Sequence, residues 1–207
     1  SVATAIKGAN FKKTYILQND NFWDYLHLNS AKLQKIFNNI GETIHLDSTL
    51  PIRTGDQLLS LSKNVRSNGF KKLLIDISTV THETLLILYR LFNESQIEVT
   101  YVYNGAREYS IGDDKSQKWL SKGCRDVRSI LSYPGEIIPS QKTHLIILVG
   151  FEHERATQLV TLFDPDYVSL GHGGRDSSIK PYHHGANLNF FNMVKNFIPM
   201  REYVAPF

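Results

Sequence analysis

The segment Lys71–Phe92, KKLLIDISTVTHETLLILYRLF, constrains the fold more than any other part of the chain. Leu73 to Ile77 form an apolar run interrupted only by Asp76. Ser78, Thr79, Val80 and Thr81 follow, and then an apolar-periodic stretch too long to be a strand. That order predicts a buried strand, a tight hydroxyl-rich turn and a helix opening on the turn. In open parallel α/β sheets, ligands bind at such places, at the carboxyl end of a strand beside a helix N-terminus.

The same alternation runs through most of the sequence. Thr14–Gln18 reads as a short strand, and Ser30–Ile40 as a helix with Leu33, Ile36, Phe37 and Ile40 on one face. Gly41 is expected to stop that helix, before a second strand at Thr43–Leu46. Thr54 followed by Gln57 has the form of a capping box, opening a helix with Leu58, Leu59, Leu61 and Val65 as its buried stripe and Asn68-Gly69 at its end. Glu98–Tyr103 is a fourth strand, and Asn104–Gln117 a polar surface loop. Trp119–Tyr133 suggests a short helix or turn and then a strand around Val127–Leu131, broken by Pro134-Gly135. His144–Val149 is the fifth main strand, Glu152–Phe163 a helix and Tyr167–Leu170 a sixth strand. A Gly/His-rich loop, Gly171–Gly185, leads to a last helix, Ala186–Phe197.

Strands alternating with helices of this length predict an α/β protein, a Rossmann-like three-layer α/β/α domain with a mostly parallel sheet of about six strands. The continuous apolar runs LLIDI and LIILV suit strands buried on both faces. At 207 residues the chain is long enough for one sizeable core, so a single domain spanning 1–207 is expected. It begins Ser-Val-Ala-Thr without methionine and ends Val-Ala-Pro-Phe, which reads as part of a longer protein.

Charge and composition narrow the partners. The net charge of +3 is mild, and the basic residues (Lys12, Lys13, Lys71, Lys72, Lys122 to Arg128) are spread rather than gathered in a stripe. Nucleic acid is therefore not the favoured partner. Cys124 is the only cysteine, so no intramolecular disulfide forms, and a reducing, cytoplasmic setting fits. No apolar run approaches the roughly 20 residues needed to span a bilayer, and no leader with a cleavage site is visible.

Three strand ends carry polar groups. The first is Asp76, Ser78, Thr79, Thr81 and His82. Hydroxyls at a helix start cap backbone amides, yet these side chains exceed what one cap needs, and a phosphate, ribose or base edge can use the surplus. Glu83, in the first helical turn, repels a bare dianion and suits a ribose hydroxyl or simple dipole capping. The second is Gly150 with Glu152, His153, Glu154 and Arg155. There the choice lies between a capped helix bearing a Glu152–Arg155 pair and an Arg155 turned toward an anion. The third is Gly171, His172, Gly173, Gly174 and Arg175, which is either a mobile surface loop or one that wraps phosphates.

Other chemistries find less support. The glycine loop is neither a Walker motif nor a dinucleotide fingerprint. His172, His183 and His184 with Asp176 match no metal-ligand spacing, and neither metal nor cofactor is expected. Lys122, Arg125 and Arg128 surround Cys124 with positive charge, but no local signature pairs it with a base. No GxSxG elbow is present.

Leu73–Leu86, LLIDISTVTHETLL, resembles the strand–turn–helix of CARF-type domains, the Rossmann-like sensors of prokaryotic defence systems. Asp76, Ser78, Thr79 and Thr81 match in position and chemistry. Where that family's turn commonly carries Gly-Gly-Thr-Lys, this chain has Thr79-Val80-Thr81-His82. The segment Gly150, Phe151, Glu152, Glu154, Arg155, Ala156 is similar to a GFE-x-ER-A stretch of uncharacterised bacterial proteins from defence loci. The resemblance implies a homodimeric sensor or accessory domain rather than a self-contained catalyst, one expected to bind a nucleotide-like anion at the carboxyl ends of the strands and to bias a partner effector domain or protein. The alternative is a metal-dependent nuclease or phosphoesterase using Asp76, Glu152 and the histidines around a divalent ion.

Overall fold

In the computed structural model the described residues are 11–37, 41–93, 95–105, 124, 126–136, 138–149, 153–172 and 192. The chain divides into two units, Ser1–Tyr109 with Ser129–Pro134, and Ser110–Arg128 with Gly135–Phe207. It is an α/β protein in which the described strands pair in parallel, two by two. Parallel neighbours need a crossover of a dozen or more residues, and a helix fills each crossover here.

In the first unit, β1 (Thr14–Asn19) lies parallel to β2 (Gly41–Leu46), with Thr14 opposite Gly41 and Asn19 opposite Leu46. A short 3-10 turn, Asp20–Phe22, leads into the crossover helix α1 (Trp23–Ile36). That helix begins well before the expected Ser30, and Ile36, assigned to its buried face, is exposed. The Gln34 side-chain amide donates to the Thr43 hydroxyl at 2.9 Å and ties α1 to β2. Gly41 does not stop a helix; it opens β2, where a Cβ would sit 3.4 Å from Ile16 Cδ1.

Helix α2 (Pro51–Ser67) starts on Pro51, a residue pre-set for the first helical position because it has no N–H to leave unpaired. Thr54 is accordingly inside the helix rather than at its cap. Thr54, Leu58, Leu61, Ser62 and Val65 recur at three- and four-residue spacing and are buried. Leu59, expected in that stripe, is exposed. The helix ends as expected at Asn68-Gly69. Gly69 takes φ +67, where a side chain would be strained, and its N–H reaches the Arg66 carbonyl at 3.0 Å.

β3 (Lys72–Asp76) pairs in parallel with β4 (Glu98–Val102) across helix α3 (His82–Asn93). Thr84, Ile87, Leu88 and Phe92 form the buried side of α3. They join Leu46, Leu58, Leu61 and Val65 in one core, against which Leu17, Ile44, Leu73, Ile75 and Val99 also pack. Both strand pairs of this unit thus bury a face on α2 and α3. Residues 126–130 form no strand. Instead Tyr133 N–H closes a turn on the Ile130 carbonyl at 2.9 Å, with Ser132 at φ 70.

In the second unit β5 (His144–Val149) runs parallel to β6 (Tyr167–His172), joined by α4 (His153–Phe163). Among the described residues, Ile147, Ala156, Val168 and Leu170 make its buried cluster. The expectation that the apolar strands are covered on both faces does not hold for β3 and β5. Leu73 and Ile75 turn to the core while Leu74 is exposed; Ile147 is buried while Ile146 and Leu148 stand 66% and 68% exposed. Strand alternation puts successive residues on opposite faces, and among the described residues only one face of each strand is buried. The expected last helix, 186–197, lies outside the described residues apart from Asn192.

Candidate functional site

The turn after β3 is stitched to the end of β4. Asp76 Oδ1 accepts the Ser78 N–H at 3.0 Å and the Ser78 hydroxyl at 2.6 Å. Ser78 Oγ in turn accepts the Asn104 N–H at 2.8 Å, just past β4. Thr81 caps α3: its Oγ1 accepts the Thr84 N–H at 3.3 Å and donates to Thr84 Oγ1 at 2.9 Å, while its carbonyl receives the Leu85 N–H. Two of the hydroxyls assigned to a ligand are therefore engaged in holding the turn. Thr79 is exposed and makes no hydrogen bond among the described residues, and His82 is the exposed first residue of α3. Thr81→Val is expected to lower stability by about 0.5–2 kcal/mol through loss of the cap, read from urea unfolding, while Thr81→Ser stays close to the parent.

A second polar constellation, not anticipated above, occupies the carboxyl ends of β1 and β2. Asn21 bridges them. Its Nδ2 donates to Asp47 Oδ1 at 3.1 Å, and its Oδ1 receives both the Ser48 N–H, at 2.7 Å, and the Ser48 hydroxyl, at 2.6 Å. Asp47 Oδ1 also accepts the Thr49 N–H at 2.9 Å and the Thr49 hydroxyl at 2.6 Å. These Thr49 donors and the Asn21 amide, with the charge of Arg53 behind them, hold the Asp47 carboxyl below the usual carboxylate range, against a smaller opposing effect of desolvation. Across the pair, His45 Nδ1 lies 2.8 Å from Asp20 Oδ1. From α2, the buried Thr54 hydroxyl donates to the Asp47 carbonyl at 2.8 Å and accepts the Asp47 N–H at 3.0 Å. Thr54 thereby fixes the turn on which Asp47, Ser48 and Thr49 sit.

One pattern recurs at β1, β2 and β3. Asp20, Asp47 and Asp76 each use Oδ1 for every hydrogen bond they make among the described residues, leaving Oδ2 without such a partner. No group of three or more His, Cys, Asp or Glu among the described residues is arranged to hold a metal ion. The local sequence signal was present: Asp20-Asn21 and Asp47-Ser48-Thr49 are polar residues directly after β1 and β2.

The remaining candidates belong to the second unit. Gly171 is a buried residue of β6 opposite Leu148, and His172 ends the strand opposite Val149. The ladder therefore continues through both residues, which the sequence alone predicts as loop. Arg155 is exposed in the first turn of α4, next to the buried Ala156. Gly150, Glu152, Gly173, Gly174 and Arg175 lie outside the described residues, as do Asp176, His183 and His184. The Cys124 N–H donates to Gln158 Oε1 at 2.8 Å.

No family model, curated protein or solved structure matches the chain. Among the described residues no helix is long and apolar enough to cross a membrane.

Proposed function

We propose that the chain is a Rossmann-like ligand-sensing domain of a bacterial defence or regulatory protein, similar in plan to CARF domains. In this reading its six strands form one mostly parallel sheet of α/β/α type. It binds a nucleotide-like molecule at the carboxyl ends of the strands, acts as a homodimer in the cytoplasm and passes the bound state to a partner effector domain. The observation that supports the reading best is the repeated aspartate at the ends of β1, β2 and β3, with one oxygen fixed and the other available among the described residues. Carboxylates accept but do not donate. Such groups at strand ends suit ribose hydroxyls and base amino groups.

Calorimetry of the full chain against mononucleotides, dinucleotides and cyclic oligonucleotides tests this. Thr79→Val is the discriminating variant, because the Thr79 hydroxyl takes no part in folding contacts among the described residues. Loss of one hydrogen bond is expected to weaken binding by roughly 2- to 15-fold with unchanged stability. A folded sample that binds none of the panel overturns the reading, and so does binding that ignores Thr79→Val. Turnover of nucleotide or nucleic acid on adding Mg²⁺ or Mn²⁺ would instead favour the nuclease or phosphoesterase alternative.

A further inference from the structure

Residues 129–134 pack with the first unit, although the chain before and after them is assigned to the second. Ile130 and Leu131 lie against the core built by α2 and α3. Leu131 sits in a notch made by Gly55 of α2: a Cβ at position 55 would come within 2.6 Å of Leu131 Cδ1. The Tyr133 hydroxyl donates to the Leu86 carbonyl of α3 at 3.2 Å. Apart from that bond, the hydrogen bonding of the segment among the described residues is internal, the Tyr133 N–H to the Ile130 carbonyl. No main-chain hydrogen bond joins residues 129–134 to a helix or strand of the unit among the described residues. Ser132 holds φ 70, a conformation that side chains other than glycine rarely adopt.

We infer that residues 129–134 are a detachable strap, seated by Leu131 in the Gly55 notch and released as one piece while α2 and α3 stay folded. An element held, among the described residues, by two apolar side chains and one hydroxyl, with a strained residue at its bend, belongs at the low end of the local opening scale. The helices beneath it, closed by their own main-chain bonds and a shared core, belong at the high end. Release uncovers the Gly55 notch and the Leu86 carbonyl, giving the domain a conformational step that needs no unfolding. The inference does not depend on the nucleotide reading and is tested without any ligand.

Hydrogen–deuterium exchange of the full chain, resolved for peptides covering 126–136 and 58–66, tests it. In the parent, the strap is expected to exchange more slowly than an unstructured peptide but faster than α2. Gly55→Val, which fills the notch, and Leu131→Ala, which removes the plug without a clash, should each speed strap exchange by about tenfold or more, with α2 unchanged within about twofold. Tyr133→Phe should give a smaller acceleration. Exchange of the strap in step with α2 overturns the inference, as does a strap already as fast as unstructured chain. Failure of both Gly55→Val and Leu131→Ala to speed it has the same force.

Discussion

Phe92→Ala is expected to lower the unfolding free energy by about 3–5 kcal/mol, the range for truncating a fully buried aromatic ring. Phe92 is 2% exposed and shares its surroundings with Leu58, Leu61, Val65, Ile87 and Leu88, contributed by both α2 and α3. Its backbone is also pinned, since the Phe92 carbonyl accepts the Ser95 N–H at 3.0 Å and the Ser95 hydroxyl at 2.6 Å. The site therefore has little freedom to collapse into the void, which places the cost toward the upper end of the range. Urea unfolding monitored by far-UV circular dichroism measures it. A loss below about 1.5 kcal/mol would mean that the ring is not the common contact of the two helices.

Thr54→Val is expected to cost about 1–3 kcal/mol despite its near-identical shape. The Thr54 hydroxyl both donates to and accepts from the backbone of Asp47, and the side chain is 4% exposed. Valine leaves the Asp47 N–H facing a methyl group. The Asp47 carbonyl keeps its second donor, the Leu50 N–H at 3.1 Å, so the N–H dominates the loss. Thr54→Ser retains the hydroxyl and should restore most of the stability. If the strand ends bind a ligand, Thr54→Val should also weaken that binding, because the turn carrying Ser48 and Thr49 loses its anchor.

What the sequence made legible was local. The runs at Thr14, Thr43, Leu73, Glu98, His144 and Tyr167 became strands, and Leu58, Leu61 and Val65 became a buried stripe, because period and residue type act within one element. Competing local signals misled. The Thr54–Gln57 pattern imitates a capping box, but Pro51 sets the helix start three residues earlier. Leu59 stands beside Leu58 and has the same chemistry, yet points elsewhere. Which faces of β3 and β5 would be covered was not readable from LLIDI and LIILV, since coverage depends on helices placed by the rest of the chain.

The site divides along the same line. Asp76, Ser78 and Thr81 were recognisable as a strand-end cluster, but the donor that engages Ser78 is Asn104, 26 residues away. The β1–β2 constellation joins partners 25 to 27 residues apart: His45 with Asp20, Asn21 with Asp47, Asn21 with Ser48. No local pattern announces such pairs. Only the register that sets Asn19 opposite Leu46 brings them together.

The stitching of Asn21 to Ser48, and of Asp76 through Ser78 to Asn104, also bears on what a binding partner would encounter. These side chains hold their geometry through bonds within the protein, so little conformational entropy is left to lose on association. Affinity at such a surface is governed by dehydration instead, by how well an incoming group replaces the water on each open carboxylate oxygen. A rigid set of acceptors discriminates by the spacing of donors on its partner, and punishes a molecule whose hydroxyls fall an ångström out of place.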